Sequence, residues 1–260
     1  MKQVISIVNV LVVVVVVVFI FFSSTAINAE TCNINARVTQ IPPLFYQDES
    51  KQWVGLTIDL TKELLNEANC DVHFENINWA RSLELMKSGQ VDMMMNMSIT
   101  DERKEYIHFI GPHNNETIQL LLKKSVNTEI QSLDDIKNLP GKIGIQHGAY
   151  FGKAFKDKIE NDPVFADKFE KTYSQENNVK KLKLGRIIGI LRQNYSGVSA
   201  EIELMKTGEY KVDPFVINTN QVYFGFSKKS VPTNLIKQLE QAFERVTLKK
   251  GFQRVIDSYK

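Results

Sequence analysis

The sequence predicts an α/β fold in two lobes, each a mainly parallel sheet flanked by helices, with two strands of the chain crossing between them as a hinge. Three observations predict it. β-like and helical periodicities alternate as β-α-β-α-β from residue 33 to residue 97, an alternation that builds parallel sheets with helices on their faces. A second unit of similar type begins after Arg103. The last two amphipathic segments, 234–246 and 251–259, follow a late strand and can return as helices to the first unit.

Each element has a local reason. Residues 33–39 form a first strand, and Ile41-Pro-Pro-Leu-Phe-Tyr46 is a rigid loop ending in aromatics, its φ angles restricted by the two prolines. Leu56, Leu60, Leu64, Leu65 and Ala68 recur at helical spacing, which predicts a helix over 56–68 with one buried face. Residues 72–76 alternate as a strand and 80–87 form a short helix. Residues 91–97 are mostly apolar between Gly89 and the polar run 98–103, the pattern of a strand buried on both faces. In the second unit, 118–122 reads as a strand, 132–139 as a capped helix stopped by Pro140-Gly141, and 142–146 as a strand. Gly148-Ala-Tyr-Phe-Gly-Lys153 then opens a helix and offers backbone donors. Residues 177–184 follow as helix, 187–191 as strand, 200–205 as helix and 222–226 as strand. Polar connectors near Glu116 and Gln221 mark the two crossings. They divide the chain into a first lobe of 30–116 with 221–260 and a second lobe of 117–220.

Residues 1–29 stand apart from this pattern. Lys2, an unbroken apolar run from Val10 to Phe22, and small residues ending at Ala29 predict a cleaved secretory signal peptide. The run is shorter than the roughly 20 residues of a spanning helix. Ala-Glu-Thr before Cys32 does not match a lipid-attachment signal, and no second long apolar run follows. About 230 residues remain, enough for one large core or two modest ones. With 24% charged residues and a net charge of +2, composition gives no reason to expect nucleic acid or an anionic membrane as partner. Cys32 and Cys70 each stand just before a β-like segment, and a right-handed β-α-β crossover sets those strand starts side by side. In an exported chain this predicts a Cys32–Cys70 disulfide, with two separate buried thiols as the alternative.

The chemistry concentrates in Ser98-Ile-Thr100-Asp-Glu-Arg103. The chain leaves the sheet there at the carboxyl end of a strand, where open α/β sheets bind ligands. Thr100 or Ser98 can cap the turn, and Arg103 presents a planar fork suited to a carboxylate. A capped surface helix with a solvated arginine is the alternative. Trp79 is either a cleft residue that stacks on a ligand or a core indole with its own hydrogen-bond partner. Tyr46 and Phe45 supply an opposing wall or ordinary loop packing. Met93, Met95 and Met97 share one strand face, which is expected to be packed core rather than a soft-metal site. The sequence lacks a nucleophile elbow, a zinc-type His-Glu motif and a phosphate-cradling glycine loop, so no catalytic residue and no cofactor is expected.

Landmarks along nearly the whole remaining chain resemble one family. They are 43–46, Gly55-Leu-Thr-Ile-Asp59-Leu, Gly89-Gln-Val-Asp92, Ser98 to Arg103, Gly144-Ile-Gln-His-Gly148, Leu184-Gly-Arg-Ile187, and Phe224-Gly-Phe-Ser-Lys-Lys before two helices. In this order the chain resembles the bacterial extracellular solute-binding proteins of family 3. These are the binding proteins of polar amino-acid ABC transporters, of the histidine and lysine-arginine-ornithine type. The resemblance implies a type II periplasmic binding protein, a monomer that closes on a small carboxylate-bearing ligand and delivers it to a transporter permease. It implies that Arg103 forks onto the ligand carboxylate with help from Ser98, that Asn96 offers its backbone carbonyl, and that Trp79 lines the cleft. Ala149 and Tyr150 match the turn whose N–H groups complete the clamp. Gln193 stands where the family commonly has an aspartate for the ligand's α-ammonium. Glu201 could substitute if its helix turned it inward. Two other functions share this fold: an enzyme resembling the cyclohexadienyl dehydratases, and a soluble sensor that presents its closed form to a membrane receptor.

Overall fold

The computed structural model describes residues 32–195, 198–199 and 202–260; the leader expected over 1–29 lies outside the described residues. β1 (Cys32–Val38), β2 (Tyr46–Gln47), β3 (Trp53–Val54), α1 (Leu56–Glu67), β4 (Cys70–Asn76), α2 (Trp79–Ser88), β5 (Met93–Met97) and α3 (Asp101–Tyr106) lead into β6 (Ile107–Lys123). A short 3₁₀ turn, Asp134–Asn138, precedes β7 (Ile143–Gln146), α4 (Lys153–Asn161), α5 (Pro163–Ala166), β8 (Phe169–Thr172) and α6 (Gln175–Lys183). β9 (Gly189–Tyr195), β10 (Val198–Ser199), α7 (Ile202–Lys206) and β11 (Tyr210–Ser227) follow, and α8 (Thr233–Leu248) and α9 (Gly251–Asp257) close the chain.

The strands run β4-β1-β5-β11-β6-β9-β7-β8, with β10 beside β9. β1 is parallel to β4 and β5, and β7 is parallel to β8 and β9. Between these two parallel groups lie β6 and β11, antiparallel to each other and to their outer neighbours. One hydrophobic core packs Ile34, Val38, Leu60 and Leu64 against Phe224, Leu239 and Phe252. Another packs Ile118, Leu120, Ile143, Phe155 and Phe165. The closing helices belong to the first of these, as α8 and α9 both pack on α1.

Structure and sequence pattern differ at several points. The short strands expected at 118–122 and 222–226 are parts of β6 and β11, of 17 and 18 residues. The polar connectors pair with each other, Glu116 opposite Asn220 and Asn115 opposite Gln221. Where 132–139 reads as a capped α-helix, only Asp134–Asn138 is helical, as a 3₁₀ turn, with Asp135 Oδ2 accepting from Ser132 N, Ser132 Oγ and Gln131 N. The helix after Gly148 begins only at Lys153. Met93 and Met95 join one core while Met97 packs with Met94 and Met86 in another cluster, so the three do not share a face. The cause is Asn96, whose φ of 55° breaks the two-residue alternation. The pairing with β11 shifts there, from Met94 opposite Gly225 to Met97 opposite Tyr223.

Cys32 and Cys70 face each other at the start of the parallel β1–β4 pair and form a disulfide, with Cα atoms 4.5 Å apart. Residues 41–45, after β1, are fastened by the start of α1. Leu56 N–H donates to Pro43 O at 3.0 Å and Thr57 N–H to Leu44 O at 3.1 Å, so two otherwise orphaned helix donors fix the loop. Gly55 permits this approach: a Cβ there would stand 2.6 Å from Leu44 O, and its φ is +121°.

Candidate functional site

A cavity of about 40 Å³ lies where the carboxyl ends of β1, β5 and β7 meet the 41–45 loop and β9. Seven of the eight residues expected at a ligand site line it: Trp79, Asn96, Ser98, Arg103, Ala149, Tyr150 and Gln193. Tyr46 does not line it. Tyr46 pairs with Val54 in the β2–β3 ribbon and stands near Tyr259, while Phe45 forms the wall with Ile41 and Leu44. Arg37, Met95, Gln146 and Gln175 complete the lining.

Arg103 is 5% exposed, so it is not the solvated surface arginine of the alternative reading. Thr100 caps α3 by accepting from Arg103 N–H at 3.2 Å, which places the arginine one turn in, directed back toward the end of β5. Its Nη1 donates to Ser98 O at 2.8 Å and its Nη2 to Gly148 O at 3.0 Å. Burial pulls its pKa down, opposed by the charges of Tyr106, Glu116 and Glu102. An arginine titrates so high that it stays a cation regardless. Ser98 Oγ accepts from Asn220 Nδ2 at 3.1 Å, which leaves the hydroxyl proton able to donate into the cavity. Asn96 Nδ2 is held by Thr57 Oγ1 at 3.0 Å, and its buried Oδ1 has no partner.

Trp79 opens α2 behind its cap Asn78, and its Nε1 donates to Gly148 O at 2.9 Å. That carbonyl therefore takes one bond from Trp79 and one from Arg103. The Arg103 and Arg37 guanidinium carbons lie 5.5 and 5.4 Å from the indole centroid, within cation–π range. Arg37 is 4% exposed, and its Nε donates to Ile77 O at 2.9 Å. It escaped sequence reasoning, although its alternation with apolar Ile34, Ala36 and Val38 marks it as facing the other side of β1.

Across the cavity, Ala149 N–H is engaged in the β7–α4 turn, donating to Gln146 O at 3.2 Å. Gln193 comes from β9, where it stands opposite Ile118 of β6, and Gln175 donates to Leu191 O at 3.2 Å. The described lining thus holds two arginines, neutral amides, the hydroxyls of Ser98 and Tyr150 and an apolar wall, and no carboxylate. Glu201 lies outside the described residues. Such a site can bind and orient an anion.

A two-lobed α/β architecture with a ligand cavity at the strand ends defines the class of hinged binding proteins. The chain belongs to the bacterial extracellular solute-binding proteins, family 3, whose pattern it matches over residues 35–259. It is 26% identical over 219 residues to a probable amino-acid-binding protein, YxeM, of Bacillus subtilis (strain 168), covering 80% of this chain and 77% of that one. It is 25% identical over 152 residues to the L-cystine-binding protein TcyJ of Escherichia coli (strain K12), covering 58% of this chain and 54% of that one. Among solved structures, an ancestral arginine-binding protein bound to glutamine superimposes with a TM-score of 0.73 at 21% identity, over 87% of this chain and 97% of that one. The ancestral amino acid-binding protein AncCDT-1, a precursor of cyclohexadienyl dehydratase, gives 0.70 at 20% identity, over 88% and 95%.

Proposed function

We propose that this chain is a periplasmic substrate-binding protein that captures a small carboxylate-bearing solute, an amino acid or a related compound, for an ABC transporter permease. The observation that carries this reading is Arg103, a buried cation at the cavity whose fork is oriented by Ser98 O and Gly148 O. Residues 30–116 with 221–260 make up one lobe and 117–220 the other, a division supported by the separate cores. β6 and β11 are the hinge. Arg103, Ser98, Asn96 and Trp79 come from the first lobe, while Ala149, Tyr150 and Gln193 come from the second. Closure brings the sets together, so a ligand touching both shifts the population toward the closed form, which the permease recognises. The protein works as a monomer after removal of its leader.

The test is a thermal-shift screen of the mature protein against amino acids, di-acids and amines, since a ligand that binds only the folded state raises the melting temperature. Stabilisation by carboxylates and not by simple amines is the expected result, and loss of uptake of that solute on deletion ties it to transport rather than sensing. A screen in which no carboxylate binds refutes the proposal. Consumption of prephenate or arogenate by the purified protein would assign it to the dehydratase-like alternative.

A further inference from the structure

Resting on that reading of the cavity, we infer that the solute is a small diacid without an α-ammonium group, with Arg103 gripping one acid and Arg37 the other. The two guanidinium carbons lie 5.5 and 5.4 Å from the same Trp79 ring, and both residues line the one cavity, so a short ligand bound there meets both. They come from different elements, Arg103 from α3 and Arg37 from the carboxyl end of β1. Both are at least nine-tenths buried, and each guanidinium is fixed by the protein's own backbone, Arg37 through Ile77 O and Arg103 through Ser98 O. A pre-oriented, desolvated fork is the arrangement that rewards a carboxylate.

The rest of the lining agrees. Gln193, Gln146 and Gln175 are neutral, and among the described residues no carboxylate lines the cavity to offer a charge to an ammonium. Glu116 acts on Arg103 from β6 without lining the cavity, and so does not present its charge to the ligand. Ile41, Leu44, Phe45 and Met95 offer an apolar surface for a hydrocarbon spine between two acids. A second buried guanidinium would repel an ammonium at short range.

The experiment is calorimetric titration of the mature protein with succinate, glutarate and adipate, with butyrate and hexanoate as mono-acids, and with L-glutamine, L-arginine and L-glutamate. The best diacid is expected to bind at least about tenfold more tightly than the mono-acid of similar length, as a second charge-assisted pair implies. Arg37→Gln is expected to remove that preference by lowering diacid affinity further than mono-acid affinity, and Arg37→Lys to keep part of it. The inference is overturned if mono-acids bind as tightly as diacids. It is equally overturned if Arg37→Gln leaves diacid affinity within threefold, or if an α-amino acid binds best. In those cases a carboxylate still binds and the proposed function stands; binding of no carboxylate at all sinks both. The mono-acid to diacid ratio of the unsubstituted protein decides the question even if an Arg37 variant fails to fold.

Discussion

Replacing Arg103 by alanine is the sharpest perturbation of the site. The side chain spends its two Nη groups on Ser98 O and Gly148 O at 2.8 and 3.0 Å, and the same fork faces the cavity. A hydrogen bond to a charged group contributes about 1.5–3 kcal/mol, so losing the carboxylate grip lowers affinity by roughly 10- to 150-fold. Arg103→Lys keeps the charge without the planar fork and is expected to fall between the two. The substitution also strips donors from two backbone carbonyls, so the titration is paired with far-ultraviolet circular dichroism and a ligand-free melt. If a correctly folded Arg103→Ala protein binds its best carboxylate within threefold of the unsubstituted protein, Arg103 is not the anchor and the reasoning fails.

Three further outcomes follow from named groups. Cys32→Ser with Cys70→Ser opens a loop with a sequence separation of 38, which the chain-entropy relation values at about 4 kcal/mol, and urea unfolding with and without reductant measures it. His113 is buried against Phe224, neither ring nitrogen makes a full hydrogen bond, and a backbone contact with Tyr223 offsets little, so burial pushes its pKa down to about 3. Between pH 6.5 and about 3 the unfolded chain then binds a proton that the folded chain refuses. Stability falls as pH falls, by up to about 1.4 kcal/mol per pH unit from this group, and a His113→Phe protein whose stability depends on pH just as steeply refutes the assignment. Gln193→Asp adds a carboxylate to the cavity lining and is expected to raise affinity for α-amino acids about fivefold by calorimetry, the difference between a neutral and a charge-assisted bond. No gain there means that position 193 does not face an ammonium.

The parts of this molecule legible in its sequence are those whose causes are local. The cap at Thr100 and the arginine three residues on can be read together because one helical turn fixes their geometry. Cys32 and Cys70 can be read because a β-α-β crossover dictates which strand starts become neighbours. The length of β6 and β11 was not legible: Asn114, Asn115, Asn220 and Gln221 have no apolar periodicity and become strand only through partners about a hundred residues away. Arg37 was missed because alternation shows that it faces away from Ile34 and Val38 but not what lies on that side. Asn96 shows the reverse, where a left-handed residue redirects Met97 and defeats a correct reading of the strand. Tyr46 and Phe45 were a choice between adjacent aromatics, decided by how α1 holds the preceding loop.

The Gly148 carbonyl links the site's geometry to the proposed hinge motion. It accepts from Trp79 Nε1 and from Arg103 Nη2, two donors from α2 and α3 meeting an acceptor in the turn after β7. In the proposed hinge motion these bonds favour the closed arrangement, and a carboxylate held by the arginine shares or replaces that carbonyl. Ligand affinity is therefore a difference between two sets of bonds, not a sum. Trp79→Phe removes one bond of the unliganded set and leaves Arg103 in place. At about 1 kcal/mol for a net hydrogen bond, the closed-to-open ratio without ligand falls about fivefold. Small-angle X-ray scattering of the ligand-free variant should show a larger radius of gyration, returning to the value of the unsubstituted protein on saturation with ligand. An unchanged ligand-free profile would mean that the carbonyl holds nothing closed, and that closure draws its energy from the ligand alone.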